Sequence, residues 1–184
     1  MKNSLLMFGS LFLLLITLSS VKGQNSKPQF LPVKVKIIDS LLNQERYKRN
    51  LPRMNYVAQA KKLTEKRVQT IFDTISKINY HQIKLYSRAI LHSGLYVDFL
   101  GFALEDTTGM YMRNQSENCA LLFDKNNIEE QCFKGWMNSM DHRRILLSTE
   151  QDSYTMSILQ SSYGIIVSFI AFIDQRENQL QVTR

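Results

Sequence analysis

At 184 residues, with 44% hydrophobic and 21% charged residues, the chain can form one domain with a real core and has ordinary globular composition. It contains no internal repeat and no low-complexity segment. The formal net charge of +7 reads first as a solvated helix face, and otherwise as a modest basic surface that suits an acidic wall polymer, an anionic lipid or nucleic acid.

Residues 1–23 read as a secretory signal peptide, with an N-terminal membrane anchor as the alternative. Met1-Lys2 is a short basic start, Leu5 to Ser20 is apolar, and Val21-Lys22-Gly23 ends the run with a small-x-small cleavage pattern. Cleavage near Gly23 removes Lys2 and Lys22 and leaves 161 residues with a charge of +5. Export makes nucleic acid the least fitting partner and points to a secreted or periplasmic protein. No later apolar run is long enough to cross a bilayer, so no stable membrane span is expected in the mature chain.

Residues 24–36 read as a polar, proline-bearing linker, 37–174 as the domain and 175–184 as a polar tail. A helix is expected over Val33 to Arg49, with Ile38, Leu41 and Leu42 on one face, stopped by Asn50-Leu51-Pro52. Met54 to Lys62 is a connector with room for a helical turn. Leu63 to Ile78 is the clearest helix: Val68, Ile71, Phe72 and Ile75 form its apolar stripe, and Glu65, Lys66, Arg67 and Asp73 are assigned to the solvated side. Lys84 to His92 is expected as a short helix capped at Gly94, with His92 on its surface. Leu95 to Leu104 reads as a strand, Glu105 to Gly109 as a turn, and Met110 to Met112 as a short returning strand.

Cys119 to Phe123 reads as a buried strand. Asn127 to Met137 is a helix with Asn127 as N-cap, Glu130 as its third residue, and Ile128, Cys132 and Trp136 along one face. Tyr154 to Gln160 alternates, Ser161 to Gly164 is a hairpin turn, and Ile165 to Ile173 is too continuously apolar to be half exposed. Helices come first and strands later, so the expected fold is α/β, with helices packed over a mixed, partly antiparallel sheet. For Cys119 and Cys132, a disulfide in an exported chain and two buried free thiols are both open.

Four segments resemble the CAP superfamily, the cysteine-rich secretory, antigen-5 and pathogenesis-related proteins that share an SCP domain, and its compact bacterial branch in particular. Leu41-Leu42-Asn43-Gln44-Glu45-Arg46 with Leu51-Pro52 is similar to the opening L-N-x-x-R helix. Leu63 to His81 is similar to the second helix and the histidine after it. Ser116-Glu117-Asn118-Cys119-Ala120 resembles the G-E-N-I-A signature, and Gly135 to Leu146 resembles W-x-N-S-x-x-H-R-x-x-I-L. The final hairpin, ending Ile170-Ala171-Phe172, is similar to the closing strands. The resemblance implies an α/β/α sandwich with a cleft lined by histidines and acids. Carried over, His81 and His142 match the two histidines and Glu117 the first acid, while Ser139 stands where a second acid would be. Lys66 and Arg67 stand where the second helix usually carries paired alanines.

The resemblance implies an extracellular ligand (lipid, wall glycan or protein) bound in or near this cleft by His81, Glu117, Asn118, Ser139 and His142. The alternative is a hydrolase in which Glu117 acts as general base with His142 and His81. His81 and His142 are the candidate ligands for zinc or another divalent metal. Ser139, three residues before His142, reads as the cap of a turn starting at Met140 more readily than as a nucleophile. Trp136 reads as core; Asp141, Arg143 and Arg144 read as surface charges, one arginine being placed to contact an anionic ligand. A third reading is a surface-attached adhesive module.

Overall fold

The computed structural model describes residues 27–78 and 112–174. In chain order these are β1 (Gln29–Leu31), α1 (Val35–Tyr47), β2 (Asn55–Tyr56), a 3-10 turn (Ala58–Ala60), α2 (Lys61–Ile75), β3 (Met112–Leu122), α3 (Ile128–Asn138), α4 (Met140–Leu146), β4 (Ser153–Ser161) and β5 (Gly164–Asp174). The strands form one sheet in the order β1-β4-β5-β3, with β2 also on β4. All pairings are antiparallel except β2 with β4, so the sheet is mixed as expected.

Both faces of the sheet are covered. On one, Tyr154, Met156 and Ile158 of β4 and Val167, Phe169 and Ala171 of β5 pack under α1, α3 and α4 through Ile38, Leu42, Cys132, Trp136 and Leu146. On the other, Leu159 and Ile166 meet Val68, Ile71 and Ile75 of α2, and Ile170 and Phe172 meet Leu63 and the 3-10 turn. Successive β5 residues serve opposite faces, and both are buried, which is why this strand reads as one continuous apolar run. The result is an α/β/α sandwich.

The hairpin between β4 and β5 turns at Ser162-Tyr163, between the paired Ser161 and Gly164. Gly164 has φ +132°, and a Cβ there would lie 2.7 Å from the carbonyl oxygen of Leu122. Glycine is required on both counts.

The first layer is locked by polar groups. Asn43 donates to the Met54 carbonyl at 3.1 Å and accepts from the Met54 amide at 2.9 Å. Arg46, fully buried, donates through Nε to Pro52 O at 2.7 Å, and through Nη1 to Leu146 O and Ser148 O at 2.9 Å each. It therefore satisfies carbonyls at the end of α4, which the helix itself leaves unbonded. Glu129 of α3, also buried, accepts the Lys34 backbone amide at 2.7 Å and so holds the start of α1. The L-N-x-x-R motif is thus a clamp between α1, the following loop and α4.

Several expectations differ from what forms. Gln29–Leu31, inside the stretch read as linker, pairs with Ile158–Gln160 of β4. The connector holds β2 as well as a helical turn. β3 begins at Met112 rather than Cys119; its first half, Arg113-Asn114-Gln115-Ser116, has no apolar alternation to announce a strand. Asn127 occupies the N-cap position of α3 but adopts a left-handed conformation (φ 48°) and makes no side-chain capping bond. Cys119 and Cys132 are free and buried, so no disulfide joins them. Cys119 packs with α2, whereas Cys132 belongs to the layer on the opposite side of the sheet. The expected signal peptide, tail, helix 84–92 and strand 95–104 lie outside the described residues.

Two outcomes follow. Arg46→Leu is expected to lower stability by about 3 kcal/mol, because three carbonyls lose charge-assisted bonds. Arg46→Lys is expected to recover little of this, since an ammonium cannot reproduce the planar fork. A urea midpoint that falls at unchanged slope checks both. Burial raises the pKa of both thiols, Cys119 also feeling the charge of Glu117. Neither should therefore react with a thiol reagent in native buffer, and both should react in denaturant without added reductant.

Candidate functional site

Strand alternation decides what the E-N pair on β3 can do. Glu117 and Cys119 point to the α2 side, and Asn118 and Ala120 to the other. Each half of the dipeptide thus works in a different layer.

On the α2 side, the Arg67 Nε lies 3.0 Å from each carboxylate oxygen of Glu117. The Ser168 hydroxyl on β5 donates to Oε1 at 2.8 Å. The Arg67 and Glu117 side chains are only 2% and 5% exposed. A second polar contact continues the strip: the hydroxyls of Thr64 and Ser157 are 2.7 Å apart. The expectation that Arg67 faces solvent is overturned. Leu63, Arg67, Ile71 and Ile75 are successive steps of four along α2, and all four are buried. The spacing marked Arg67 as inward, and its charge masked the signal.

On the other side, Asn118 donates to the His142 carbonyl at 3.0 Å. Trp136 is core, as expected, and donates its indole N–H to Cys119 O at 3.1 Å. Ser139 holds the N-cap position of α4, with no side-chain bond to a backbone amide. Its hydroxyl instead meets His142 Nδ1 at 2.8 Å. The bond joins the N-cap side chain to that of the third helical residue, so it fixes the imidazole against the start of α4 without capping a backbone amide. The described contacts therefore gather Glu117 with Arg67 and Ser168, and His142 with Ser139 and Asn118. His81 lies outside the described residues.

A cleft of about 780 Å³ opens beside Glu117. Its floor is Ser116, Glu117 and Gln151, bridged by a 2.8 Å bond from the Gln151 amide to the Ser116 hydroxyl. Its wall is α4, presenting Met140, Arg143 and Arg144. Sequence reasoning found Glu117 but missed Gln151, which no motif marks.

A divalent metal drawing on Glu117 does not fit this arrangement, because the Arg67 guanidinium already engages both oxygens and would repel a second cation. No group of three metal-ligating side chains occurs among the described residues. No helix among them is long and apolar enough to cross a membrane.

No protein-family model and no curated protein sequence matches the chain. Solved structures do. An outer surface protein from Borrelia burgdorferi aligns at 16% identity with a TM-score of 0.56, covering 80% of this chain and 99% of that one. A cysteine-rich secretory protein from Staphylococcus aureus aligns at 16% identity and 0.51, covering 77% of this chain. An extracellular SCP-domain protein from Bacillus anthracis aligns at 17% identity and 0.51, covering 75%. The chain spans only 40% and 39% of those last two proteins. The fold is that of the CAP/SCP domain.

If the buried pair organises the site, Glu117→Gln should cost about 3–5 kcal/mol by leaving the Arg67 charge uncompensated. Adding Arg67→Met should restore much of the loss. A double-mutant cycle on denaturant midpoints measures the coupling, and simple additivity would show that the two side chains act independently.

Proposed function

We propose that this CAP-fold protein is exported and acts by binding an extracellular ligand, a lipid, wall glycan or protein, in the cleft beside Glu117, without catalysing its turnover. The observation that supports binding over catalysis is the state of Glu117. A general base needs an oxygen within reach of the proton it takes. Both oxygens of this carboxylate are instead engaged by Arg67, and one also by Ser168. The acid is a structural element of the cleft floor. His142, Ser139 and Asn118 serve the same reading by fixing α4, the wall that carries the ligand-facing side chains.

Export is supported by the basic-apolar-small pattern of residues 1–23. It also accords with the outer surface and extracellular proteins that share the fold. A His81–His142 metal centre is not part of this proposal.

Two measurements test it together. Purified protein mixed with cell-envelope lipid, glycan and protein fractions should gain thermal stability with at least one of them, as any ligand of the native state requires. Ester, glycoside and peptide substrates should be turned over no faster than by the folded Arg67→Met/Glu117→Gln variant. Turnover that disappears in that variant would replace this reading with a hydrolase.

A further inference from the structure

We infer that the cleft takes a phosphate-bearing ligand, held by Arg143 and Arg144; this deepens the binding role proposed above and rests on it. The remaining arginines whose side chains are described are already occupied. Arg46 is spent on three carbonyls, Arg49 pairs with Glu45, Arg53 with Asp39, and Arg67 with Glu117. Arg143 and Arg144 differ. They are adjacent and exposed, both line the cleft, and neither forms an ion pair among the described residues. Among the described residues, the side-chain bond of this pair is a long 3.4 Å contact from Arg143 to the Met137 carbonyl.

The hydroxyls around them point the same way. Ser148 accepts the Glu150 amide at 3.2 Å, and Ser116 accepts the Gln151 side-chain amide at 2.8 Å. Each oxygen thus serves as acceptor, which leaves its own O–H hydrogen to donate elsewhere. Thr149 lines the same wall. Two guanidinium forks and several O–H donors match a tetrahedral oxyanion with three or four acceptor oxygens better than a planar carboxylate with two.

The acids present do not cancel this. Glu117 is neutralised by Arg67, so the floor does not repel an anion. Glu150 is exposed, one acid in a lining that also holds two arginines. Met140, 75% exposed, and Ile145 and Leu147 beside it give the phosphate's organic substituent an apolar surface.

The test begins with inorganic phosphate titrated into isotope-labelled protein. Saturable NMR shifts are expected at the Arg143 and Arg144 side-chain N–H groups and at the Ser148 and Thr149 amides. Affinity should fall roughly tenfold or more in Arg143→Gln/Arg144→Gln, the value of one charge-assisted bond. Arg49→Gln, outside the cleft, should bind as the original does, and circular dichroism confirms that each variant is folded. Vesicles of phosphatidylglycerol and of phosphatidylcholine then separate the sources. Retention on the anionic vesicles alone, lost in the double variant, identifies a lipid headgroup, whereas saturation by free phosphate without vesicle retention identifies a soluble or polymeric phosphate ester. Shifts that miss the cleft, or that persist unchanged in the double variant, overturn the proposal. So does an uncharged envelope glycan bound equally by both proteins, a result that would leave the general binding role standing.

Discussion

The ion pair between Arg67 and Glu117 is the constraint from which the arrangement of the α2 layer follows. Burying two charges costs several kcal/mol each, which only close geometry and further hydrogen bonds can offset. Here a guanidinium nitrogen reaches both carboxylate oxygens, and Ser168 supplies the additional bond. The three residues come from α2, β3 and β5, so the helix can sit over the sheet in only one position without stranding a charge. A slip of β3 by one residue would carry Glu117 into the opposite layer, away from its partner. The pair acts more as a register pin than as a source of stability.

The opposite layer is pinned by different chemistry. Asn43, Arg46, Glu129 and Asn118 are buried polar side chains, and each bonds a backbone group belonging to another segment. They tie up donors and acceptors that turns and helix ends would otherwise leave unbonded inside the protein. Their combined effect is to hold α4 at a fixed place beside the start of β3. That placement sets Arg143 and Arg144 against the cleft floor and leaves their guanidinium groups available.

Much of this was legible in the residues. The apolar stripes of α1 and α2, the helix carrying Trp136 and the closing hairpin all stand close to where their periodicity put them. Their faces are set by burial, the strongest patterned signal a chain carries. The polar first half of β3 and three-residue β1 were not legible, because each forms by pairing with a partner far away in sequence. At the site, Glu117, Asn118, Ser139 and His142 were marked by motif, yet their roles were not. Arg67 was misassigned because a cation is normally an outward signal, and only its partner fifty residues later reverses that reading. Gln151 had no signal at all, since its part depends on a loop position that local sequence does not encode.

The Arg46 clamp also bears on how the chain reaches its native state. Its guanidinium bonds carbonyls 100 and 102 residues further along, and the start of α1 depends on a glutamate 95 residues away. Beyond its bonds to Pro52 and Met54, the first helix therefore gains these long-range partners only after most of the domain has been made. Local contacts cannot carry such a topology forward early, and loop-closure entropy must be overcome before these bonds return anything. Bonds between segments so far apart in sequence form only when both ends of the domain are present, so closing this clamp joins the first helix and the last third of the chain in a single step.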